Sequence, residues 1–103
     1  MVSKDLLDQY QKFVDDTCVH RDHTYPFLGL AGECGEVMEQ VKKAWRVHKD
    51  AWALSEERVF KIQDELGDVL WYLTRCADVM GLSLEELMEA NMEKLNERNA
   101  DGK

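Results

Sequence analysis

The chain has 103 residues and a formal net charge of −8, with 21 acidic and 13 basic side chains, one proline and six glycines. A chain of this length fits one domain with a small core, which a partner subunit would help to complete. Its acidity argues against a nucleic acid polymer as partner, whereas a small anion bound through a divalent cation remains compatible.

The first half of the chain predicts two helices. Apolar residues recur three and four positions apart, which is the helical period and indicates an all-α domain over 1–103. The first helix is predicted over about 3–18, with Ser3 as its cap. The segment 20–25 breaks the pattern and is a candidate pocket wall or lid. The second helix is predicted over about 26–48, because the single proline suits its first turn.

The second half predicts two more helices after a connection at 49–54. The third helix is predicted over about 55–80, beginning at a serine cap and ending at Gly81. The residues 83–86, Ser-Leu-Glu-Glu, form a capping-box pattern and begin a fourth helix that extends to about Arg98. The fold class is therefore four main helices.

The three cysteines indicate a reducing compartment. Cys18, Cys34 and Cys76 have no CxxC spacing and occupy apolar positions of the predicted helices, so we expect thiols in the core. No apolar run has the length of a signal peptide or a membrane span. We therefore expect a cytoplasmic protein with no membrane partner.

Two acidic segments repeat along the chain, 32–38 and 64–70, at an offset of 32 residues. Each has two acids three residues apart, which border the apolar stripe of their helix. One such pair alone usually marks a solvated face. The two pairs share the midpoint 50.5, so an antiparallel hairpin of the second and third helices would bring all four acids together. These acids are Glu33, Glu36, Glu65 and Asp68.

A converging group of carboxylates predicts a metal site. The four carboxylates would repel one another and shift their pKa values unless a cation lay between them. Oxygen ligands without histidine or cysteine favour Mg²⁺, with Mn²⁺ also possible, over zinc. Gly35 and Gly67 lie between the two acids of each pair and cost about 1 kcal/mol relative to alanine in a helix. We therefore expect the two helices to approach closely at these glycines, with neutral drift as the alternative explanation for them.

Further polar and aromatic residues are candidates for substrate contacts. Asn91, Lys94 and Arg98 align on one face of the fourth helix and could hold phosphates, or could form an ordinary solvated face, and Lys42 is ambiguous in the same way. Trp71 lies opposite the apolar stripe, and we expect it to be buried between subunits or against another helix. The candidates for base contacts, each of which also suits core or interface packing, are Tyr25, Phe27, Trp45, Trp52 and Trp71.

The order of these motifs resembles the MazG-like nucleotide pyrophosphohydrolases over Phe27 to Arg98. The resemblance rests on Leu-Ala-Gly-Glu-Cys-Gly-Glu-Val at 30–37, on Asp-Glu-Leu-Gly-Asp-Val-Leu-Trp-Tyr-Leu at 64–73, and on the NxxKxxxR-like ending at 91–98. As a set, these motifs are specific.

The resemblance implies an all-α, Mg²⁺-dependent enzyme that hydrolyses (deoxy)nucleoside triphosphates between the α- and β-phosphates. The products would be the nucleoside monophosphate and pyrophosphate, in nucleotide-pool house-cleaning. It implies a homodimer or homotetramer, in which oligomerisation completes the helical bundle. By the family pattern, the four acids bind the metal and one of them, Glu36 or Glu33, orients or deprotonates the attacking water. Asn91, Lys94 and Arg98 would contact phosphates or shape the site.

Two other functions remain open at this point. A phosphoribosyl-nucleotide pyrophosphohydrolase of related fold would use similar ligands on another substrate, and substrate profiling distinguishes it. A non-catalytic helical binding or dimerisation module would keep the acids without using them, and Mg²⁺ titration with a nonhydrolysable nucleotide distinguishes that. The preferred base and sugar, the number of metal ions and the choice between dimer and tetramer do not follow from the residues.

Overall fold

The computed structural model describes residues 4–49 and 55–100, with no side-chain description for Lys4, His48 and Ala100. It is all-helical within these ranges, as the sequence predicts. Each helix boundary lies within two residues of its predicted position. The connection predicted at 49–54 lies outside the described residues, apart from Lys49. The four helices are α1 (Lys4–Thr17), α2 (Tyr25–His48), α3 (Glu56–Val79) and α4 (Leu84–Ala100).

The predicted serine caps of α3 and α4 are present. The Ser55 hydroxyl accepts a hydrogen bond from the Arg58 amide at 3.1 Å. At α4 the capping box is complete, because the Ser83 hydroxyl accepts from the Glu86 amide at 3.1 Å and the Glu86 carboxylate accepts from the Ser83 amide at 3.2 Å. Gly81 has a φ of +74°, a left-handed conformation that suits glycine and ends the preceding helix.

The ends of α2 are formed differently. Before the helix, Asp22 accepts hydrogen bonds from the amides of Thr24 at 2.7 Å and Tyr25 at 3.0 Å, and Pro26 is buried in the first turn. After the helix, Lys49 adopts the left-handed conformation, with φ +58°, and its amide donates to the Trp45 carbonyl at 2.6 Å. These local bonds satisfy backbone groups that a helix end leaves unpaired.

The chain divides into two compact units. One contains α1, α4 and the end of α3 from Thr74 onward. The Gln11 side chain of α1 accepts a hydrogen bond from the Leu84 amide at the start of α4, at 2.9 Å. Among the described residues of this unit, the buried apolar side chains are Val14, Cys18, Cys76, Ala77 and Leu84.

The other unit spans residues 20–73 and contains α2 and the first part of α3. Arg58 of α3 donates to the Gln40 side chain of α2 at 2.7 Å, near one end of this helical pair. Ala44 is buried, but most of the apolar stripe of α2 is only half-buried. Large apolar side chains such as Phe60, 66 % exposed, and Leu28, 68 % exposed, face away from the small core.

The prediction of three core thiols is correct for two of them. Cys18 and Cys76 are buried, whereas Cys34 is exposed on α2. Cys34 lies at an apolar position of the helical period, but the described residues supply no cover for that face. Among the described helices, none combines the length and the apolar character that crossing a membrane requires.

Candidate metal centre

Three of the four predicted acids meet between α2 and α3. Glu33 lies on α2, and Glu65 and Asp68 lie one turn apart on α3. Each supplies a carboxylate oxygen, and these three oxygens lie within 4.8 Å of one another. Glu33 and Glu65 are half-buried and Asp68 is exposed, so the cluster lies at the edge of the helical pair and opens to solvent.

The cluster surrounds Glu33 with negative charge, and the pKa of this carboxyl is raised. Burial is the largest influence that raises the pKa of Glu33, followed by the negative charges of Asp68, Glu65 and Glu36. A hydrogen bond with Glu65 raises the pKa of Glu33 further, because it favours the protonated form. A cation placed among the three carboxylates would remove this repulsion, and an all-oxygen ligand set fits a hard divalent ion such as Mg²⁺.

Glu36 is an exposed neighbour of this group. It lies three residues beyond Glu33 on α2 and contributes to the raised pKa of Glu33, so its charge is felt within the cluster. It is outside the set of three oxygens that lie within 4.8 Å. In this arrangement Glu33, Glu65 and Asp68 could bind one ion together, while the Glu36 carboxylate stays available for a water or a second ion.

A pocket of about 330 Å³ connects the carboxylates to two aromatic rings. It is lined by Glu33, Asp68, Trp71 and Tyr72. Trp71 is half-buried and packs edge-to-face on Tyr72, with ring centroids 5.0 Å apart and an interplanar angle of 75°. Trp71 is therefore partly covered within its own chain, and its full burial between subunits or against another helix stays a prediction.

Tyr72 is a site residue that the sequence reasoning missed. Its pKa is raised by burial first, then by the nearby Tyr25, to which it is hydrogen-bonded, and by the charge of Glu33. On the other side its ring lies against Gly29, where an added Cβ would lie only 2.6 Å from the Tyr72 Cζ atom. The sequence contains a signal for this contact, because positions 29 and 72 have the same midpoint, 50.5, as the acidic pairs of the hairpin.

The close approach of α2 and α3 is therefore not at the predicted glycines. A Cβ added at Gly35 or Gly67 would meet nothing within 4 Å among the described residues, so the expectation of contact there is wrong. Gly29 makes the close approach instead. The sequence does not show which of the three glycines lies at the contact. A glycine inside a helix has the same unfavourable helix propensity whether or not another helix packs against it.

The other predicted substrate contacts of α2 and its preceding loop are exposed. Tyr25 stacks on His20, with ring centroids 4.3 Å apart, and Phe27 is 44 % exposed. The Lys49 ammonium lies 5.1 Å from the centre of the Trp45 ring. Lys42 forms an ion pair with Glu39 at 3.0 Å. Trp52 lies outside the described residues.

The three polar residues predicted on α4 are exposed. Asn91, Lys94 and Arg98 lie on this helix at the expected three- and four-residue spacing. They belong to the compact unit that α4 forms with α1, whereas the acidic cluster belongs to the unit of residues 20–73. Their role in phosphate binding stays a prediction.

An all-helical arrangement with carboxylates facing one another across two helices fits the class of helical metal-dependent hydrolases. More particularly, the chain belongs to the MazG nucleotide pyrophosphohydrolase domain family, which matches residues 21–102. The family is metal-dependent in general, and its activity is nucleotide pyrophosphohydrolysis.

Two relatives are similar over much of their length. The Gene 37 protein of Mycobacterium phage L5 is 32 % identical over 105 residues, which cover 93 % of this chain and 90 % of the relative. The uncharacterized protein YvdC of Bacillus subtilis (strain 168) is 34 % identical over 73 residues, covering 67 % of this chain and 68 % of the relative. No solved structure gives a significant match to the chain.

Proposed function

We propose that the chain hydrolyses (deoxy)nucleoside triphosphates between the α- and β-phosphates in the presence of Mg²⁺, releasing nucleoside monophosphate and pyrophosphate. The observation that carries the proposal is the convergence of Glu33, Glu65 and Asp68 within 4.8 Å in a chain of this family. House-cleaning of the nucleotide pool and a cytoplasmic location are parts of the same proposal.

The proposed roles of the acids are based on their positions. Glu33, Glu65 and Asp68 are proposed as metal ligands, because their oxygens converge and repel one another without a cation. Bound Mg²⁺ would supply positive charge to the triphosphate and to the leaving pyrophosphate. Glu36 is exposed beside this group. We propose that its carboxylate orients the attacking water and accepts a proton from it.

Basic and amide side chains are proposed to hold the phosphates. Asn91, Lys94 and Arg98 are exposed on one helix and can donate several hydrogen bonds to phosphate oxygens. Lys42 is a weaker candidate, because its ammonium is already paired with Glu39. The prediction for α4 is that Lys94→Ala or Arg98→Ala raises KM for the triphosphate without removing Mg²⁺ binding.

A homo-oligomer is the proposed form of the enzyme, as a dimer or a tetramer. Its support is the set of large apolar side chains that the described residues leave exposed, which a partner subunit would cover. Phe60, Leu66 and Leu70 of α3 are all exposed, by 66 %, 52 % and 44 %. Sedimentation analysis of the full chain tests this part, and a monomer at micromolar concentration would contradict it.

The activity is tested by incubating the chain with each common dNTP and NTP, with and without Mg²⁺, and measuring pyrophosphate. We expect Mg²⁺-dependent pyrophosphate with an equimolar monophosphate. Release of orthophosphate alone would contradict the proposal, and activity confined to phosphoribosyl-nucleotides would favour the related pyrophosphohydrolase instead. Adding damaged-base nucleotides to the panel addresses the house-cleaning role.

Variants of the acids test the assignment of roles. Glu36→Gln and Asp68→Asn should each abolish turnover while the helix content measured by circular dichroism stays unchanged. Asp64→Asn is the matched control, because it removes the same charge from an exposed position on α3, next to the proposed ligand Glu65. Near-normal turnover in both Glu36→Gln and Asp68→Asn would contradict the assignment.

A further inference from the structure

The pocket beside the acidic cluster has an aromatic end and an acidic end. Asp68 and Tyr72 are four residues apart on α3, so they share one helix face and are about one turn, or 5.4 Å, apart along its axis. Trp71 lines the same pocket next to Tyr72. The volume of about 330 Å³ lies at the lower end of the range for small-molecule sites, so the pocket can receive part of a nucleotide.

Three neighbours restrict the Tyr72 ring. The absence of a side chain at Gly29 provides the space that the ring fills, since a Cβ there would overlap it. The Tyr72 hydroxyl is hydrogen-bonded to Tyr25, and the ring edge contacts Trp71 at 5.0 Å between centroids. A side chain restrained in this way loses little conformational freedom when a ligand binds against it.

The loop before α2 supports this arrangement. Tyr25, which bonds to Tyr72, stacks on His20 at 4.3 Å between ring centroids. Its backbone amide donates to the Asp22 side chain at 3.0 Å. Tyr25 is thus restrained through both its ring and its backbone, and it transmits that restraint to Tyr72.

We propose that Tyr72 contacts the nucleoside part of the substrate, and that Gly29 and Tyr25 are positioning residues that act through it. This inference rests on the proposed function, because it assumes that the phosphates lie at the carboxylate cluster. With the phosphates there, the nucleoside extends along the pocket toward the aromatic rings. An aromatic face offers stacking and apolar contact to a sugar or base, and little to a phosphate.

Calorimetric titration of the full chain in Mg²⁺ tests the inference. The ligands are an α,β-methylene deoxynucleoside triphosphate, which is not hydrolysed at that bond, and inorganic tripolyphosphate, which lacks a nucleoside. Tyr72→Ala should weaken the nucleotide analogue about tenfold or more, the size expected for a lost aromatic contact. The affinities for tripolyphosphate and for Mg²⁺ alone should not change.

The positioning residues are tested by variants that leave the Tyr72 ring in place. Gly29→Ala should weaken the nucleotide analogue to a similar extent, by displacing the ring. Gly32→Ala is the matched control, because it adds the same methyl group to α2 at a position where no described residue lies within 4 Å of it. Tyr25→Phe removes one hydrogen bond and should cost about fivefold in affinity.

A double variant separates positioning from a general structural role. If Gly29→Ala acts only by moving the ring, it should have no further effect on nucleotide affinity in the Tyr72→Ala background. An additive loss would overturn the role of Gly29. If Gly29→Ala does not fold, as judged by circular dichroism, Tyr25→Phe and Tyr72→Ala still decide the inference.

The results separate this inference from the proposed function. Unchanged nucleotide affinity in Tyr72→Ala, or an equal loss for nucleotide and tripolyphosphate, would overturn the inference even when the wild-type chain releases pyrophosphate. Analogue binding that depends on Tyr72, in a chain that releases no pyrophosphate from any nucleotide, would support the inference and overturn the proposed function. A wild-type chain that binds no nucleotide would overturn both.

Discussion

Replacing Glu33 with glutamine should stabilise the metal-free chain and remove its response to Mg²⁺. The carboxylate oxygens of Glu33, Glu65 and Asp68 lie within 4.8 Å of one another. Two like charges at that distance repel by about 0.9 kcal/mol at the dielectric constant of water and by about 3.5 kcal/mol at an effective value of 20. Because the cluster is open to solvent, the lower value applies to each pair.

Glu33→Gln removes two such pairs, so we expect a gain of about 1–2 kcal/mol in the free energy of unfolding after screening by salt. For a chain of about 100 residues, each 1 kcal/mol raises Tm by about 4–8 °C. Wild-type protein should in turn gain about 2.7 kcal/mol when Mg²⁺ is present at 100 times its Kd. The variant should gain little, because it lacks one of the three converging carboxylates.

The assay is thermal unfolding followed by circular dichroism at pH 8 and low salt, with a chelator or with excess Mg²⁺. Asp64→Asn serves as the control, since it removes one exposed negative charge next to the cluster and should change stability by less than about 0.5 kcal/mol. A metal-free Glu33→Gln variant no more stable than wild type would refute the electrostatic reasoning. A variant with a wild-type Mg²⁺ response would refute the assignment of Glu33 as a ligand.

Four further predictions concern pH and helix stability. The raised pKa of Glu33 means that the Mg²⁺-induced increase in Tm should fade, as pH falls, at a higher pH than for an ordinary glutamate. The Tm of the metal-free chain should instead rise as pH falls, because a carboxyl whose pKa is higher in the folded state adds stability as pH falls through that value. Thermal melting in chelator across a pH series measures this, and a Tm that decreases as pH falls through that value would contradict the prediction. Gly35→Ala should stabilise the chain by about 1 kcal/mol in urea denaturation, because its methyl group meets nothing within 4 Å in the described part of the chain; a loss would indicate a contact at this face. Ser83→Ala should destabilise the chain by about 1 kcal/mol in guanidinium denaturation by removing the α4 cap, and an unchanged midpoint would show that the cap contributes little.

Local signals in the sequence predicted the helices well. The caps at Ser55 and Ser83 and the left-handed Gly81 depend on residues within a few positions of one another, so they can be identified without tertiary information. The cluster of Glu33, Glu65 and Asp68 could be predicted for a related reason. Its members are related by helical period and by the midpoint of one hairpin.

The predictions that differ from the structure concern residues whose burial depends on which other element packs against their helix face. Gly35 was expected at a close approach and has open space, whereas Gly29 makes the contact. Cys34 follows the apolar period yet is exposed. Trp71 stands out in the sequence because it lies opposite the apolar stripe, whereas Tyr72 has nearly the helical angle of the acids. Which face of a helix is covered is set by packing, and periodicity alone does not determine it.

The space beside Gly29 also limits how this part of the chain can evolve. Any side chain at position 29 would collide with the ring at position 72, so neither position can change in isolation without altering the shape of the pocket. Among relatives, a residue larger than glycine at the first position should be accompanied by a smaller one at the second. With the pocket in the substrate-binding role that we propose, substrate range would change by coupled replacement of two residues on different helices, while the acidic cluster stays as it is.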